Sequence, residues 1–499
     1  MSKRACYHFD RHTPEYRQDF EVITAEMHSQ CPIAWSDTYG GHWVAAGHEE
    51  VFELAARSSE FLSNDNDVDA KRKGYAGISI PAPKRGKGRR GGFLEMDPPE
   101  QRHYRQVLNP FLSPAAVDRW TPFVDEVARA CLDERIEEGQ IDFVDDLANI
   151  VPAVLTLAMT GIPIKNWQTY CEPTHAAVYT PPDSPDIQRV TELHAAMGKD
   201  LVGKFHKIRQ DPRPGIIHAL QNCKILGETP TDDELFNVIG LLIGGGFDTT
   251  TALTANSLNW LGQHPAERGR LSTERSTLLD PATEEFLRYF TPAAGDGRTI
   301  SADCEITGTK FKEGDRIWLS WAMANRDPSV FPNPNEIDLA RKNNRHASFG
   351  LGIHRCIGSN MARMMFKRMV LAVLDRIPDY TLVPGGAEHY DTIGVINGMK
   401  HLPATFTPGK CAGAGLADTL GILQQACDDQ GLAEPITIRR GRADINGYRA
   451  LPPPQGDGGS HPPGRRPGLA HVLRSHPPRK PGRDGGDGTH RRLCPTSMR

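Results

Sequence analysis

A glycine-punctuated loop in the C-terminal third of the chain reads Phe349-Gly350-Leu351-Gly352-Ile353-His354-Arg355-Cys356-Ile357-Gly358. It places one cysteine immediately before a predicted helix that runs from about Gly358 to Leu374. The N-terminus of that helix would bring unsatisfied backbone N–H groups and the positive end of the helix dipole beside the sulfur. Both effects favour the thiolate over the thiol. The alternative for a single cysteine is a buried structural thiol.

This decapeptide resembles the cysteine loop of the cytochrome P-450 heme-thiolate monooxygenases. The resemblance implies that Cys356 is the axial ligand of a heme b iron. Thiolate ligation pushes electron density onto the iron and favours cleavage of the O–O bond. The resemblance also implies a mainly α fold with small β-sheets. That fold is a triangular helical prism, with heme held between a central helix and the proximal helix after Cys356.

A second motif reads Gly244-Gly245-Gly246-Phe247-Asp248-Thr249-Thr250-Thr251. It interrupts a segment that is otherwise helical from roughly Asp232 to Leu261. Each glycine costs about 1 kcal/mol relative to alanine inside a helix, so three glycines need another reason. One reason is clearance, with Gly245 and Gly246 letting the helix approach a heme face. A threonine hydroxyl that bonds back to a carbonyl and bends the helix is another.

This motif is similar to the oxygen-activation motif of the P-450 central helix. By that match Asp248 relays protons inward and Thr249 steers protonation during oxygen activation, so these two are the predicted catalytic residues. Taken alone, an Asp-Thr pair would indicate local capping or surface solvation. Leu241, Leu242 and Gly245 are predicted to face the substrate pocket. They suggest a small apolar ligand such as a terpenoid, a steroid or a fatty acid.

Basic residues that would neutralise the two heme propionates follow from the same resemblance. Arg298 matches a propionate ligand of the family, and so does His354. The stretch that begins at Met96-Asp97-Pro98-Pro99 resembles the start of the helix that crosses one heme edge, and two prolines suit a helix start. There Gln101 and Arg105 are predicted to bind the cofactor, while Arg102 faces outward toward a redox partner.

A further motif, Glu285-Phe286-Leu287-Arg288, lies in a predicted helix from Pro281 to Tyr289. Residues three apart share a helix face, but a surface pair would contribute little to stability. The family resemblance instead places Glu285 and Arg288 in a buried network with a second arginine, here Arg341. Its predicted role is structural, because it supports the cysteine loop.

Composition limits the class of protein. The net charge is only −4, which implies no global attraction to nucleic acid. Ten cysteines are dispersed without paired C-x-x-C spacing, which argues for reduced thiols and against a zinc site. The N-terminus lacks the apolar core of a signal peptide, and no apolar stretch approaches the ~20 residues of a membrane span. We therefore expect a cytoplasmic protein without a membrane anchor.

The chain divides into three predicted parts. The first part, 1–407, is the predicted monooxygenase domain, and the family resemblance covers roughly residues 10–407 of it. Helical patterns dominate there, and a small-sheet region is expected at Arg298–Leu319. A helical appendage is predicted at 408–445. The tail, 446–499, is rich in Pro, Gly and Arg and should be disordered. Within the first part, Lys71–Gly92 is predicted to be a long exposed loop.

The resemblance implies a specific reaction. One oxygen atom of O2 is inserted into a small apolar substrate, and the other atom is reduced to water. The electrons would come from NAD(P)H through a separate ferredoxin reductase and a ferredoxin-type protein. Two alternatives remain from the sequence alone, which are a peroxide-driven peroxygenase and a non-catalytic heme-binding protein. The acid-alcohol pair argues against both.

Overall fold

The structure is a computed structural model that describes residues 6–57, 62–66, 74–83, 90–180 and 184–430. The predicted tail at 446–499 and parts of the predicted 71–92 loop lie outside the described residues. In the described part helices predominate and the strands are short, so the predicted mainly α class with small sheets is confirmed.

The α-helices, in chain order, are α1 (Pro14–Gln30), α2 (His48–Ala56), α3 (Glu100–Leu112), α4 (Pro114–Asp133), α5 (Ile150–Thr160), α6 (Gln168–Tyr179), α7 (Ile187–Gln210), α8 (Ile216–Gln221), α9 (Asp232–Gln263), α10 (Pro265–Thr273), α11 (Arg275–Phe290), α12 (Trp321–Ala324), α13 (Ser359–Arg376) and α14 (Leu416–Gln430). Short 3-10 or π turns occur at Thr38–Gly40, Gly92–Glu95, Val144–Ala148, Ile164–Asn166 and Gly352–His354.

The strands are β1 (Ile33–Ser36), β2 (His42–Ala45), β3 (Leu62–Ser63), β4 (Gln140–Asp142), β5 (Gly295–Ile300), β6 (Cys304–Ile306), β7 (Thr309–Phe311), β8 (Arg316–Ser320), β9 (Thr381–Leu382), β10 (Glu388–His389), β11 (Met399–His401) and β12 (Pro403–Thr405). The largest sheet has the order β1-β2-β8-β5-β3. Its β2–β8 pair is parallel and its other pairs are antiparallel. Smaller sheets are β4-β12-β9, β10-β11 and β6-β7, so the sheet region expected at Arg298–Leu319 is present.

The central helix α9 begins with a capping box. The Thr231 hydroxyl accepts from the Glu234 N–H, and the Glu234 carboxylate accepts from the Thr231 N–H at 2.7 Å. This reciprocal pair satisfies N–H groups that have no partner within the helix. The helix then continues without a break to Gln263, so the prediction that the glycine motif interrupts it is wrong. Burial of its apolar side chains offsets the low helix propensity of the glycines.

The largest apolar core lies where α9 packs on α5 and α13, and where α13 packs on α4. Met361, Met364 and Met365 of α13 are all buried in it. Ile243 and Phe247 of α9 are buried in the same core. The helix that follows the cysteine and the helix with the Asp-Thr pair are therefore held against each other.

The helix α14 is part of the packed protein. Leu420 and Leu423 are buried against α4, and Gln424 accepts a hydrogen bond from the Ile164 N–H at 2.8 Å. Arg129 of α4 donates to the Thr419 hydroxyl at 3.0 Å. The appendage predicted from helical spacing is thus ordered as far as the structure describes it.

Two further predictions can be compared with the structure. Cys31 is disulfide-bonded, so the prediction of reduced thiols is wrong for this cysteine. Among the described residues, α9 alone is long and apolar enough to cross a membrane, but 61% of its apolar window is buried inside the protein. This degree of burial is typical of a core helix.

Candidate active site

The cysteine loop is closed by its own backbone. The Cys356 N–H donates to the Phe349 carbonyl at 2.7 Å. Gly350 and Gly352 have φ values of 63° and 67°, which lie in the left-handed region that side chains disfavour. Gly358 has a φ of −85°, and a Cβ there would only come to 3.9 Å from the Cys356 sulfur. The first two glycines are therefore required by the turn, whereas Gly358 is not.

The Cys356 thiol is surrounded by protein on most sides, yet part of its surface stays accessible to a ligand. Burial raises the pKa of this thiol, and the Gly358 N–H, Arg105 and Arg355 only partly oppose that effect. The N–H at the helix start thus favours the thiolate, as the sequence predicts, but in the protein by itself this effect does not outweigh burial. A bound metal cation deprotonates a coordinating thiol outright, so the site still fits metal ligation.

Two side chains of α3 hold the cysteine loop in place. The Gln101 amide donates to the Ile353 carbonyl at 2.9 Å, and the Arg105 guanidinium donates to the Arg355 carbonyl at the same distance. Gln101 is buried, so its bond is protected from water. Both residues were predicted to bind the cofactor, and the structure places them against the loop that carries Cys356.

Arg298 and His354 form a buried basic cluster beside this loop. Burial lowers the pKa of both groups, and in His354 the neighbouring Arg298 and Arg105 lower the pKa further, to about 3. The Arg298 Nε and both ring nitrogens of His354 are buried without a hydrogen-bond partner in the protein. Buried donors of this kind are normally paired. Their chemistry fits the carboxylates of heme propionates.

The glycines of α9 face different surroundings. A Cβ added at Gly244 or Gly245 would meet no protein atom within 4 Å, whereas one at Gly246 would lie 2.8 Å from the Thr156 hydroxyl of α5. Gly246 therefore allows close packing of two helices, and the prediction that it gives clearance to a heme is wrong. The Thr249 hydroxyl donates to the Gly245 carbonyl at 3.0 Å, as the sequence predicts for a back-bonded threonine.

Asp248 is buried, with only 2% of its side chain exposed. Its Oδ1 accepts from the His175 Nδ1 at 2.7 Å and from the Tyr390 hydroxyl at 2.8 Å. Its Oδ2 is buried without a hydrogen-bond partner. Sequence reasoning missed His175 and Tyr390, since neither lies in a motif and each is far from Asp248 in the chain.

The predicted substrate residues lie on α9. Leu241 and Leu242 are half-buried and pack against the largest core. A Cβ at Gly92, whose φ is 59°, would come within 2.9 Å of the Leu241 side chain. The turn at Gly92–Glu95 therefore covers Leu241 closely, while Gly245 borders open space.

The predicted glutamate-arginine network is present. Glu285 and Arg288 are fully buried and pair at 2.8 Å, and Arg341 donates to the same carboxylate at 2.9 Å. Asn344 adds a hydrogen bond at 3.0 Å, and so does the Asp338 N–H at 2.9 Å. The carboxylate is saturated by donors, which compensates for its removal from water.

A second network, missed from the sequence, connects α11 to the cysteine loop. Glu284 accepts from Arg363 of α13 at 2.6 Å and from the His346 Nε2 at 3.0 Å. The Arg363 guanidinium also lies 4.4 Å from the centre of the Phe349 ring, at the start of the loop. The only available sequence signal was that Glu284 directly precedes the Glu285 motif.

Comparisons with known proteins agree with this geometry. A model of the cytochrome P-450 family matches residues 165–377. The linalool 8-monooxygenase of Pseudomonas putida is 27% identical over 77% of this chain and 95% of its own length. A steroid C26-monooxygenase of Mycolicibacterium smegmatis is 27% identical over 82% of this chain and 97% of its own.

A solved structure gives the same result. A Bacillus megaterium P-450 in complex with testosterone superposes with a TM-score of 0.67 and 25% identity, over 79% of this chain and 99% of the other. The cysteine loop, the buried basic cluster and the open glycine face of α9 at Gly244 and Gly245 all lie within the residues that the family model matches. The chain therefore belongs to the cytochrome P-450 family, as a heme b enzyme of the monooxygenase type.

Proposed function

We propose that this protein inserts one oxygen atom of O2 into a small apolar substrate of the terpenoid, steroid or lipid type, with electrons from a ferredoxin-type partner. The observation that carries the proposal is the position of Cys356. It lies on a closed loop next to a buried basic cluster, and α13 packs this region against the helix that holds Asp248 and Thr249. The catalytic part is proposed to comprise 1–407, with 408–445 as an appendage.

The residues have separate proposed roles. Cys356 holds the iron, while Arg298, His354 and Arg105 bind the propionates, and Gln101 keeps the cysteine loop in position. Heme b, when bound, supplies the chemistry that activates dioxygen and transfers one oxygen atom.

We propose that residues of α9 contact the substrate and deliver protons. Leu241, Leu242 and Gly245 present an apolar surface that orients the substrate and excludes water. Thr249 holds a proton at its Oγ1 close to where oxygen is activated, and Asp248 replenishes that proton by relaying protons inward. Proton transfer by a positioned side chain typically contributes about 10²- to 10⁴-fold to a rate.

The substrate class rests on two observations. The proposed contact residues on α9 are apolar or lack a side chain, and pockets of this type orient a ligand with few polar groups. The relatives include enzymes named for linalool and for a steroid, and one related structure contains testosterone. These ligands are small and largely apolar, so the same class is proposed here.

The redox partner is proposed to dock beside α3. Arg102 is exposed there, while Arg105 on the same helix bonds to the cysteine loop. An exposed cation next to the electron-accepting centre suits an acidic ferredoxin, because complementary charge steers association. An NAD(P)H-dependent ferredoxin reductase would supply that ferredoxin, and a cytoplasmic location is proposed for the whole system.

The test is a ligand titration followed by turnover. Purified holoprotein is titrated with linalool, testosterone and a fatty acid while the spin state of the heme is recorded optically. Ligands that shift the spin state are then incubated with ferredoxin, reductase and NADH, and an oxygenated product is expected. A product formed only with added peroxide would support a peroxygenase. Spin-state binding without any product would support a non-catalytic heme-binding protein, and either result would overturn the proposal.

A matched pair of variants tests the pocket assignment. Leu242→Trp enlarges a proposed pocket residue and should weaken ligand binding by about tenfold or more, since pockets discriminate strongly by size. Ile422→Trp makes a similar change on α14, where Ile422 is 48% exposed, and should leave binding unchanged. Equal effects of the two substitutions would contradict the assignment.

A further inference from the structure

We propose that His175 supplies protons to Asp248 from the protein surface, and that Tyr390 is a positioning residue that orients the Asp248 carboxylate. This inference rests on the proposed role of Asp248 in oxygen activation. It adds an earlier proton-transfer step to that role, which involves residues of α6 and of the segment after β10.

The first argument is the geometry of the hydrogen bonds. A carboxylate oxygen can only accept, so the His175 Nδ1 donates its proton to the Asp248 Oδ1 over 2.7 Å. The Tyr390 hydroxyl donates to the same oxygen at 2.8 Å and lies 3.0 Å from the His175 Nδ1. The two donors therefore converge on one carboxylate oxygen.

The second argument is the gradient of exposure. The His175 side chain is 12% exposed, whereas that of Asp248 is 2% exposed. A proton from solvent therefore reaches the imidazole before it reaches the carboxylate. Histidine suits this position because its two ring nitrogens can exchange a proton with different partners near neutral pH.

The third argument is the unpaired oxygen of the carboxylate. Asp248 Oδ2 is buried and has no hydrogen-bond partner in the protein. Buried polar atoms are normally paired, so this oxygen is free to take a partner at another stage. Oδ1 is held by His175 and Tyr390, so the unpaired position of Oδ2 is the one from which the carboxyl group can pass a proton on after it rotates.

The step balances as a single proton transfer. The His175 Nε2 takes a proton from solvent, the Nδ1 proton moves to the Asp248 Oδ1, and the imidazole returns to its neutral form. No electron moves and no covalent bond between heavy atoms changes. The product of the step is a neutral Asp248 carboxyl group, which can rotate to present its proton toward the α9 face that carries Thr249.

Tyr390 cannot carry the proton itself. Burial, reinforced by the Asp248 carboxylate, raises the pKa of Tyr390 far above its ordinary value, so its hydroxyl stays protonated. It therefore serves as a fixed hydrogen-bond donor.

Other groups also face the cluster of His175, Asp248 and Tyr390. The Tyr179 ring lies edge-on to His175 with ring centres 5.2 Å apart, Lys400 lies 5.6 Å from the Tyr179 ring, and Asp145 interacts electrostatically with His175.

The decisive variant is His175→Asn. The asparagine amide can still donate near the Nδ1 position, but it does not release a proton at neutral pH. We expect normal binding of heme and of substrate. Turnover should be at least about tenfold lower, because the variant loses the general acid catalysis that His175 provides. The solvent deuterium isotope effect on turnover should increase. His264→Gln, at the exposed end of α9, is the control and should match the wild type in all of these measurements.

A second measurement does not depend on turnover. In the diamagnetic ferrous carbon monoxide complex of the ¹⁵N-labelled holoprotein, the His175 Nδ1 should carry a proton that is protected from exchange. That protection should disappear in Asp248→Ala. Protonation of Nε2 alone in the wild type would overturn the proposal, even if His175→Asn failed to fold.

The outcomes separate this proposal from the proposed function. Wild-type turnover and an unchanged isotope effect in His175→Asn would overturn the role of His175 while leaving the monooxygenase function intact. Failure of the wild type itself to form product with electrons supplied would instead overturn the proposed function.

Discussion

Asp248 and Thr249 are adjacent in the chain, but their side chains bond to different parts of the protein. The Asp248 carboxylate is held by His175 and Tyr390 in the interior, whereas the Thr249 hydroxyl bonds back to Gly245 beside the open glycine face of α9. Successive side chains of a helix point in different directions, so adjacent residues can contact different parts of the protein. The acid and the alcohol can therefore be tested separately.

Removing the Thr249 hydroxyl should uncouple electron flow from product formation. In Thr249→Ala, oxygen consumption should continue, while product formed per O2 falls about tenfold or more and hydrogen peroxide rises, because the steering proton is lost. The measurement is product and peroxide per NADH oxidised. Thr254→Ala is the control, since Thr254 makes the same type of back-bond, to the Thr250 carbonyl at 2.9 Å, but is fully buried. Equal uncoupling in both variants would contradict the role of Thr249.

Breaking the buried ion pair should destabilise the protein strongly. Arg288→Met leaves the fully buried Glu285 carboxylate short of a cation, and such a loss typically costs about 3–5 kcal/mol. The loss in free energy of unfolding is measured by urea denaturation of the holoprotein. The control is Arg209→Met, which breaks a solvent-exposed pair with Asp232 and should cost about 1 kcal/mol or less. Similar costs for both variants would show that the network is not structural.

Acid stability should depend on Glu284. Burial by itself would raise the pKa of Glu284, but hydrogen bonds from Arg363 and His346 lower it from 4.5 to about 2. The folded protein thus holds the charged form more strongly than the unfolded chain does. This stabilisation is complete above about pH 4.5 and is lost as the pH falls through about 2.

The corresponding variant is Glu284→Gln. Its free energy of unfolding should fall less steeply than that of the wild type between about pH 4.5 and 2, as measured by urea denaturation at several pH values. Glu313→Gln, at an exposed position, serves as the control and should follow the wild type. Parallel curves for Glu284→Gln and the wild type would contradict the depressed pKa.

The C-terminal helix should contribute to stability. Leu423→Ala removes a fully buried side chain of α14 and should cost about 2–5 kcal/mol. The adjacent Ile422 is 48% exposed, so Ile422→Ala should cost much less. Thermal denaturation of the two variants gives the comparison. Indistinguishable melting temperatures would mean that α14 is not integral to the fold.

The sequence predicts those features that depend on local patterns. The helix after Cys356 and the long helix around Asp248 are both predicted from the sequence, although the glycine motif does not interrupt the second helix. Predictions from the sequence are less accurate where packing between distant segments determines the structure. Gly246 meets Thr156 of α5, so its role depends on how two helices cross, which no local pattern specifies.

Electrostatic partners are the least predictable features. Asp248 pairs with His175, 73 residues earlier in the chain, and with Tyr390, 142 residues later. The helix dipole argument for a Cys356 thiolate considers one helix end only, whereas burial by the whole loop raises the pKa of that thiol. Such effects require the assembled interior.

The most direct test of the central claim is the optical difference spectrum of the dithionite-reduced protein with carbon monoxide, recorded for the wild type and for Cys356→Ala. Thiolate ligation predicts a strongly red-shifted Soret band in the wild type that is absent in the variant. A band typical of imidazole ligation in the wild type, or the same red-shifted band in Cys356→Ala, would contradict the assignment of Cys356 as the heme ligand.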